Sequence, residues 1–191
     1  MSTPKPVQLG LCCLNITMRK QKPTVFSSRS VILRTLEEKG FSVLKEKIIQ
    51  NLKDTIQLIE WNESQGIRVF RLSSNLFPHF SNPKAEDYPI NFALPLLKAI
   101  GDKAKEYNHR ITFHPGQYNV VGTPNKKMFQ QTIRDLSYHA DMLDYMGMGK
   151  DSVMVVHGGG MYGDKELTKI RWCEQYAELP DEVRKRLVLE N

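Results

Sequence analysis

Cysteine is scarce in this chain of 191 residues, and the three cysteines present are Cys12, Cys13 and Cys173. An odd number without paired spacing excludes both a disulfide framework and a cysteine-based zinc site. Long apolar runs are also missing, since no stretch approaches the roughly 20 residues that a membrane-spanning helix needs, and residues 1–6 carry no apolar core of a secretory signal. These absences predict a reducing, aqueous, intracellular setting and no membrane partner.

The composition is that of an ordinary folded protein with an excess of positive charge. Hydrophobic residues make up 40% of the chain and charged residues 25%, which excludes the disordered and collagen-like classes. The 27 basic residues exceed the 21 acidic ones, so the formal net charge is +6. This charge permits a polyanionic partner such as nucleic acid, and an ordinary cationic enzyme surface explains it equally well. Because no linker or low-complexity tract interrupts the sequence, one domain is predicted over residues 1–191.

Strand-like apolar runs alternate with helical patterns from one end of the chain to the other. Strands are predicted over residues 7–14, 68–72, 110–113, 152–156 and 187–189. Helices are predicted over residues 43–65, 91–108 and 165–179, after Asn125, and in a short piece from Pro180 to Arg186. A strict β-α alternation is typical of an α/β fold with a parallel sheet and right-handed crossovers.

Polar residues follow the predicted strands at the point where each strand ends. Asn15 follows the first strand, His114 the third, His157 the fourth, and Glu190 ends the fifth. The carboxyl ends of parallel strands lie at one edge of the sheet, so His114, His157 and Glu190 could converge. Imidazole and carboxylate groups suit zinc, manganese or iron. The competing interpretation is a pair of structural histidines and a solvated terminal glutamate.

The loop after His114 has the composition of a group that enters a base stack. Pro115-Gly116 forces a turn, so Gln117 and Tyr118 are predicted to project from a rigid loop. An aromatic ring can replace base stacking and an amide can replace base pairing. The glycines of residues 158–160 leave room for a phosphate or a substrate backbone, or they serve a loop that needs positive φ.

The remaining histidines are not assigned to metal binding. His79 is predicted at the surface, His109 at the opposite end of the sheet, and His139 on the polar side of its helix. Basic residues in the strand-end loops are expected to give this face a positive potential that suits phosphates. They are Arg19, Lys20, Lys22, Arg29, Lys84, Lys126 and Lys127.

Five short motifs together closely resemble the UV damage endonuclease family. They read, in chain order, Leu-Gly-Leu-Cys-Cys-Leu-Asn (9–15), Phe-Arg-Leu-Ser-Ser-Asn (70–75), His-Pro-Gly-Gln-Tyr (114–118), His-Gly-Gly-Gly (157–160) and Leu-Val-Leu-Glu-Asn (187–191). The resemblance implies a (β/α)8 TIM barrel related to endonuclease IV. It also implies an enzyme that uses divalent metal ions to hydrolyse damaged double-stranded DNA immediately 5′ to UV photoproducts and related lesions.

The resemblance also implies roles for individual residues. His114, His157 and Glu190 would be the catalytic metal ligands, with Glu190 bridging two ions; manganese is the expected metal, and zinc and magnesium are the alternatives. Gln117 and Tyr118 match the pair that inserts into the duplex, and Asn15 matches a residue near the damaged nucleotides. Leu11 departs from the aromatic residue expected beside the lesion, which puts that contact in doubt. No obligate protein partner is implied.

The number of predicted strands does not match this fold. A TIM barrel has eight strands and about 250 residues, and the family's further ligands (an Asp, several His, a Glu and a modified Lys) lie on strands six to eight. We therefore expect residues 1–191 to be the N-terminal portion of a longer endonuclease. By itself this portion should be poorly stable, with open strand edges, and inactive, with a partial metal cluster.

Three other interpretations remain open from the sequence. A metal-dependent TIM-barrel sugar isomerase or epimerase would share the histidine and glutamate ligands, without needing a Gln-Tyr pair or basic rim. A non-catalytic damaged-DNA-binding fragment would bind DNA even with a chelator present. An open five-stranded α/β binding domain, complete at this length, would unfold cooperatively as a stable monomer.

Overall fold

A computed structural model describes residues 7–85 and 87–190 of the chain. Residues 1–6, where no secretory signal is predicted, and Asn191 of the last motif lie outside the described residues. Five strands form one parallel sheet within the described part. They are β1 (Gly10–Cys12), β2 (Val69–Leu72), β3 (Arg110–Phe113), β4 (Met154–His157) and β5 (Leu187–Glu190). The parallel α/β architecture predicted from the alternation is confirmed.

Helices lie in each of the four connections between successive strands. They are α1 (Ile16–Arg19), α2 (Leu33–Lys39), α3 (Phe41–Ser64), α4 (Leu94–Glu106), α5 (Lys126–Tyr145), α6 (Lys165–Glu178) and α7 (Asp181–Arg184), with a 3-10 turn at Asn91–Ala93. Among the helices that the structure describes, none is long and apolar enough to cross a lipid bilayer.

The strands lie in the same order in the sheet as in the chain, β1-β2-β3-β4-β5. This order means that every crossover moves on by one strand, as in a barrel, whereas a doubly wound sheet reverses direction part-way. In the described sheet β1 and β5 are the two edges, and Val188 and Leu189 of β5 are exposed.

The core forms where the helical periodicity predicts it. Along α3, Leu44, Ile48 and Leu52 are fully buried, and the turn after the helix includes Gly66 at φ +69, a conformation that glycine adopts at little cost. The helix after Asn125 is also confirmed, and the Asn125 side chain caps it by accepting hydrogen bonds from the backbone amides of Lys127 and Met128.

Two parts of the predicted secondary structure are corrected. The first strand covers residues 10–12 and not 7–14; Val7 and Leu9 are exposed, and the chain leaves the strand at Cys13 with φ +61. Residues 16–39 contain two short helices that the sequence patterns do not predict, α1 and α2. Neither buries more than one residue, so neither has the apolar stripe from which helices are recognised.

Candidate functional site

Three ligand-capable side chains meet at the carboxyl edge of the sheet. His157 and Glu190 are direct register partners on β4 and β5, and His114 is the residue immediately after β3. One ligand atom of each residue lies within 4.8 Å of the others. The convergence predicted from the strand ends is thus confirmed, while the roles of the three residues stay predictions.

Glu190 is the residue that connects the other two. Its Oε2 atom accepts a hydrogen bond from His114 Nε2 at 2.9 Å and lies 3.8 Å from Nδ1 of His157. The hydrogen bond from His114 lowers the pKa of the Glu190 carboxyl below its usual value, and the charges of His114, His157 and Arg71 act in the same direction. The carboxyl is therefore ionised at neutral pH, which is the form that binds a cation.

The donor set of this cluster fits a divalent metal ion. Two imidazole nitrogens and a carboxylate oxygen are ligands that zinc, manganese and iron accept. The side chains of His157 and Glu190 are both 53% exposed, so a cation there would remain accessible to water and substrate. Open coordination positions are characteristic of catalytic metal sites and absent from structural ones.

The loop after β3 presents the Gln-Tyr pair to solvent. The backbone amide of Asn119 donates to the carbonyl of Gly116 at 3.0 Å, which closes a turn around Gln117 and Tyr118. The Tyr118 side chain is 81% exposed, and Gln117 is also exposed. The predicted projection of both side chains from a turn beside His114 is confirmed. We call residues 114–120 the wedge loop.

Asn15, which follows β1, has a structural contact of its own. It is buried at the N-cap of α1, where its Oδ1 accepts a hydrogen bond from the Met18 amide at 3.0 Å. Its Nδ2 atom is buried without a partner among the described residues. One half of this amide therefore holds the loop after β1, and the other half retains its hydrogen-bonding capacity.

The prediction that His139 lies on the polar side of its helix is wrong. His79, which is predicted at the surface, has contacts on both ring nitrogens. His139 is only 1% exposed, because its ring packs against Phe113 of β3 and against the ring of the adjacent Tyr138 on its own helix. His79 is partly buried, with Nε2 at 2.7 Å from the carbonyl of Val31 and Nδ1 at 3.1 Å from Asn82 Nδ2. Both ring nitrogens of His79 are engaged, so it has none left for a metal. His109 lies at the amino end of β3, away from the cluster, as predicted.

We call the seven basic residues that are predicted to make this face positive the basic rim. One of them, Arg29, is not available to a ligand. Arg29 forms an ion pair at 2.7 Å with Asp54, whose side chain is buried, and its guanidinium lies over the ring of Phe26. It therefore fastens the loop before α2 to α3. The other six basic residues of the rim are exposed: Arg19, Lys20, Lys22, Lys84, Lys126 and Lys127.

Arg71 is a candidate functional residue that the sequence analysis missed. It stands in register between Cys12 and Thr112, on the face of β2 opposite to the buried Phe70 and Leu72. Its positive charge contributes to the lowered pKa of Glu190, which places the guanidinium near the cluster. The signal in the sequence is a single arginine within the otherwise apolar run Val-Phe-Arg-Leu. Because side chains alternate between the two faces of a strand, this arginine lies on the face opposite to Phe70 and Leu72.

Comparison with known proteins yields a consistent set of matches. The family model described as UV-endonuclease UvdE matches residues 7–191. A UV-damage endonuclease homologue of Acanthamoeba polyphaga mimivirus is 43% identical over 189 residues, which cover 97% of this chain and 57% of that protein. The UV-damage endonuclease of Schizosaccharomyces pombe is 40% identical over 188 residues, which cover 96% of this chain and 31% of that protein.

A solved structure matches the fold as well as the sequence. The crystal structure of SacUVDE superimposes with a TM-score of 0.84 at 32% identity, covering 97% of this chain and 61% of that chain. The five-stranded sheet is therefore part of a TIM-barrel-type fold, as predicted. The chain spans less than two thirds of the length of each of these matched proteins.

Proposed function

Because the chain belongs to the UV-endonuclease UvdE family, we propose that it forms part of a DNA-repair endonuclease acting on UV-damaged DNA. In this proposal the enzyme hydrolyses the phosphodiester bond on the 5′ side of a UV photoproduct or a related lesion. The observation that carries the proposal is the meeting of His114, His157 and Glu190 at the base of a loop that exposes Gln117 and Tyr118. The proposed partner is damaged double-stranded DNA. Because this DNA is inside the cell, we propose that the protein acts there.

We assign the three clustered side chains as ligands of a divalent cation, with manganese as the first choice and zinc or magnesium as alternatives. When bound, such a cation supplies Lewis-acid activation of the phosphate and of water. Glu190 is suited to this task because its lowered pKa keeps it ionised. His114 is less exposed than His157, at 17% against 53%, so His157 would lie nearer to solvent and substrate.

The wedge loop supplies the proposed recognition of the lesion. The Tyr118 ring, which is 81% exposed, would enter the base stack, where a lesion has already weakened stacking and pairing. Gln117 would offer hydrogen bonds to a base that has lost its partner. The unpartnered Nδ2 of Asn15 is proposed to contact the damaged nucleotides, and the six exposed basic residues of the rim to attract the backbone phosphates.

We further propose that residues 1–191 supply five strands of a barrel, and that the remaining strands belong to a longer chain. The exposed Val188 and Leu189 on edge strand β5 support this proposal, because an apolar edge strand is normally covered. The matched proteins are also longer than this chain. Additional strands would bring the further ligands that the resemblance implies, so residues 1–191 alone are expected to be inactive.

Incision of UV-irradiated plasmid by the full-length protein tests the proposal. Manganese should support nicking 5′ to the lesion, EDTA should abolish it, and His114→Ala should reduce it to background. Glu166→Gln is a matched control, because that carboxylate is exposed and, among the described residues, its ion pair is with Lys169 on α6. Aldose turnover without DNA incision would replace this proposal with a sugar isomerase. Chelator-insensitive binding without incision would replace it with a DNA-binding role.

A further inference from the structure

A single carboxylate on α5 joins two loops at the carboxyl edge of the sheet. Asp135 Oδ2 accepts a hydrogen bond from Asn119 Nδ2 at 2.6 Å, and Asp135 Oδ1 accepts one from the hydroxyl of Ser81. Asn119 belongs to the wedge loop, and Ser81 belongs to the loop that follows β2. Asp135 therefore holds both loops against the same helix.

Asn119 transmits this contact to the turn that carries the Gln-Tyr pair. Its Nδ2 atom also donates to the Gly116 carbonyl at 2.9 Å, in addition to the backbone bond between the same two residues. The next residue, Val120, donates its amide to Thr132 Oγ1 on α5 at 3.2 Å. The base of the turn is thus held by buried polar contacts, while the side chains at its tip point to solvent.

The neighbouring loop is fastened to α5 by residues close to Asp135. Gln131 Nε2 donates to the Ser81 carbonyl, and Arg134 Nη2 donates to the Phe80 carbonyl at 3.4 Å. One turn further along α5, the buried ring of His139 has Nδ1 at 2.7 Å from the Asp135 carbonyl and 3.4 Å from its Oδ2. The loop after β2 is therefore held to α5 by several side chains around Asp135.

We propose that Asp135 is a positioning residue for lesion recognition, which holds the wedge loop in its DNA-binding conformation before DNA arrives. This inference rests on the proposed wedge function of Gln117 and Tyr118. A loop that is ordered in the free protein does not lose that conformational entropy on binding, so preorganisation strengthens binding without any new contact to DNA. Asp135 itself is not proposed to touch the substrate.

The hydrogen-bonding capacity of the side chain defines the decisive pair of variants. Asp135→Ala removes both acceptors and leaves one N–H group of the buried Asn119 amide without a partner, while the other still bonds to the Gly116 carbonyl. Asp135→Asn keeps one acceptor for Asn119, and its amide can donate to the Ser81 hydroxyl, which also accepts hydrogen bonds. The alanine variant should therefore loosen the wedge loop, and the asparagine variant should restore it.

Binding of irradiated and unirradiated duplexes to the full-length protein, measured in EDTA so that no strand is cut, tests the effect on recognition. We expect Asp135→Ala to reduce the preference for irradiated DNA about tenfold, as for the loss of one charged hydrogen bond. Asp135→Asn should remain within about threefold of wild type. Asp87→Ala is the control, because this exposed carboxylate pairs with Arg134 of α5 and, within the described part of the chain, makes no hydrogen bond to the wedge loop.

Two further measurements separate positioning from a general structural effect. Amide hydrogen exchange should accelerate in residues 116–120 of Asp135→Ala and stay near wild type elsewhere, and manganese affinity should be unchanged. Unchanged exchange in the wedge loop, or a loss of discrimination in Asp135→Asn equal to that in Asp135→Ala, would overturn the inference. A fall in manganese affinity that matches the loss of DNA binding would also overturn it, because Asp135 would then act through His114.

The same series distinguishes this inference from the proposed function. If Tyr118→Ala lowers the preference for irradiated DNA and Asp135→Ala does not, the positioning role fails alone. If wild-type protein shows no preference for irradiated DNA, the wedge function itself fails.

Discussion

Nε2 of His114 lies 2.9 Å from Oε2 of Glu190 although the two residues are 76 positions apart in the chain. The contact spans β4, since His114 follows β3 and Glu190 ends β5. His157 lies beside the same carboxylate as its register partner. Two crossovers between three adjacent parallel strands thus bring three ligand-capable residues to one point, and Glu190 is the common partner.

Removal of the Glu190 carboxylate should weaken metal binding at this cluster. Glu190→Gln keeps the size of the side chain but loses the charge that two imidazoles surround, so we expect manganese affinity to fall at least about tenfold. Titration followed by the electron paramagnetic resonance of free manganese measures this directly. Glu166→Gln should bind manganese like wild type, and equal affinity of both variants would exclude Glu190 as a ligand.

Loss of the Tyr118 ring should weaken discrimination more than binding. Tyr118→Ala removes an exposed ring that has no part in the core, so the fold should be unaffected. Base stacking on an aromatic side chain contributes about 1–3 kcal/mol, which corresponds to a loss of roughly 5- to 150-fold in affinity for irradiated duplex. Anisotropy titrations with irradiated and unirradiated DNA check this, and an equal loss for both would contradict the wedge role.

Two buried histidines should make stability depend on pH. Burial lowers the pKa of His139 and of His109 below the usual value of 6.5, even though Asp135 and Glu63 act in the opposite direction. As the pH falls, these two histidines therefore bind protons at a higher pH in the unfolded chain than in the folded protein. The stabilisation is complete above pH 6.5 and is lost as the pH decreases toward the folded-state values, by at most about 1.4 kcal/mol per histidine and pH unit.

Urea denaturation at pH 7.5 and pH 5.5 tests this expectation. Wild-type protein should unfold at a lower urea concentration at pH 5.5. His139→Gln does not titrate in this range, so its two midpoints should lie closer together. An identical pH dependence in both proteins would show that His139 does not contribute.

Gly101 should tolerate no side chain, although it lies inside a helix. A Cβ atom at this position of α4 would stand 1.7 Å from the carbonyl oxygen of Met146, which follows α5. Helix propensity favours alanine over glycine by about 1 kcal/mol, but the overlap requires the two helices to separate. We expect Gly101→Ala to lower the free energy of unfolding by about 2 kcal/mol. Gly149→Ala is the control, since nothing lies within 4 Å of its Cβ position, and urea denaturation compares the two.

Much of the fold follows from local patterns. The apolar spacing of Leu44, Ile48 and Leu52 requires one buried helix face, and all three residues are buried. The strand before His114 has the predicted bounds, because a short apolar run between a helix end and a Pro-Gly turn leaves little choice of position. Where the apolar pattern is weak, as in α1 and α2, no local signal identifies the helix.

The candidate site was predictable only in part. Residue type and position at strand ends indicated His114, His157 and Glu190, since chemistry at these ends is a property of parallel sheets. The burial of His139 was not predictable, because it depends on which strand and rings pack against α5. The ion pair between Arg29 and Asp54 was not predictable for the same reason, because Asp54 lies on α3.

The sequence by itself determined the alternation of strands and helices and the polar residues at the strand ends, because these depend on neighbours a few positions away. Only the tertiary structure decided which of those residues touch. The hydrogen bond from His114 to Glu190 and the two loops held by Asp135 join positions that lie far apart in the chain. Such contacts are set by strand order, register and helix packing, which no local pattern encodes.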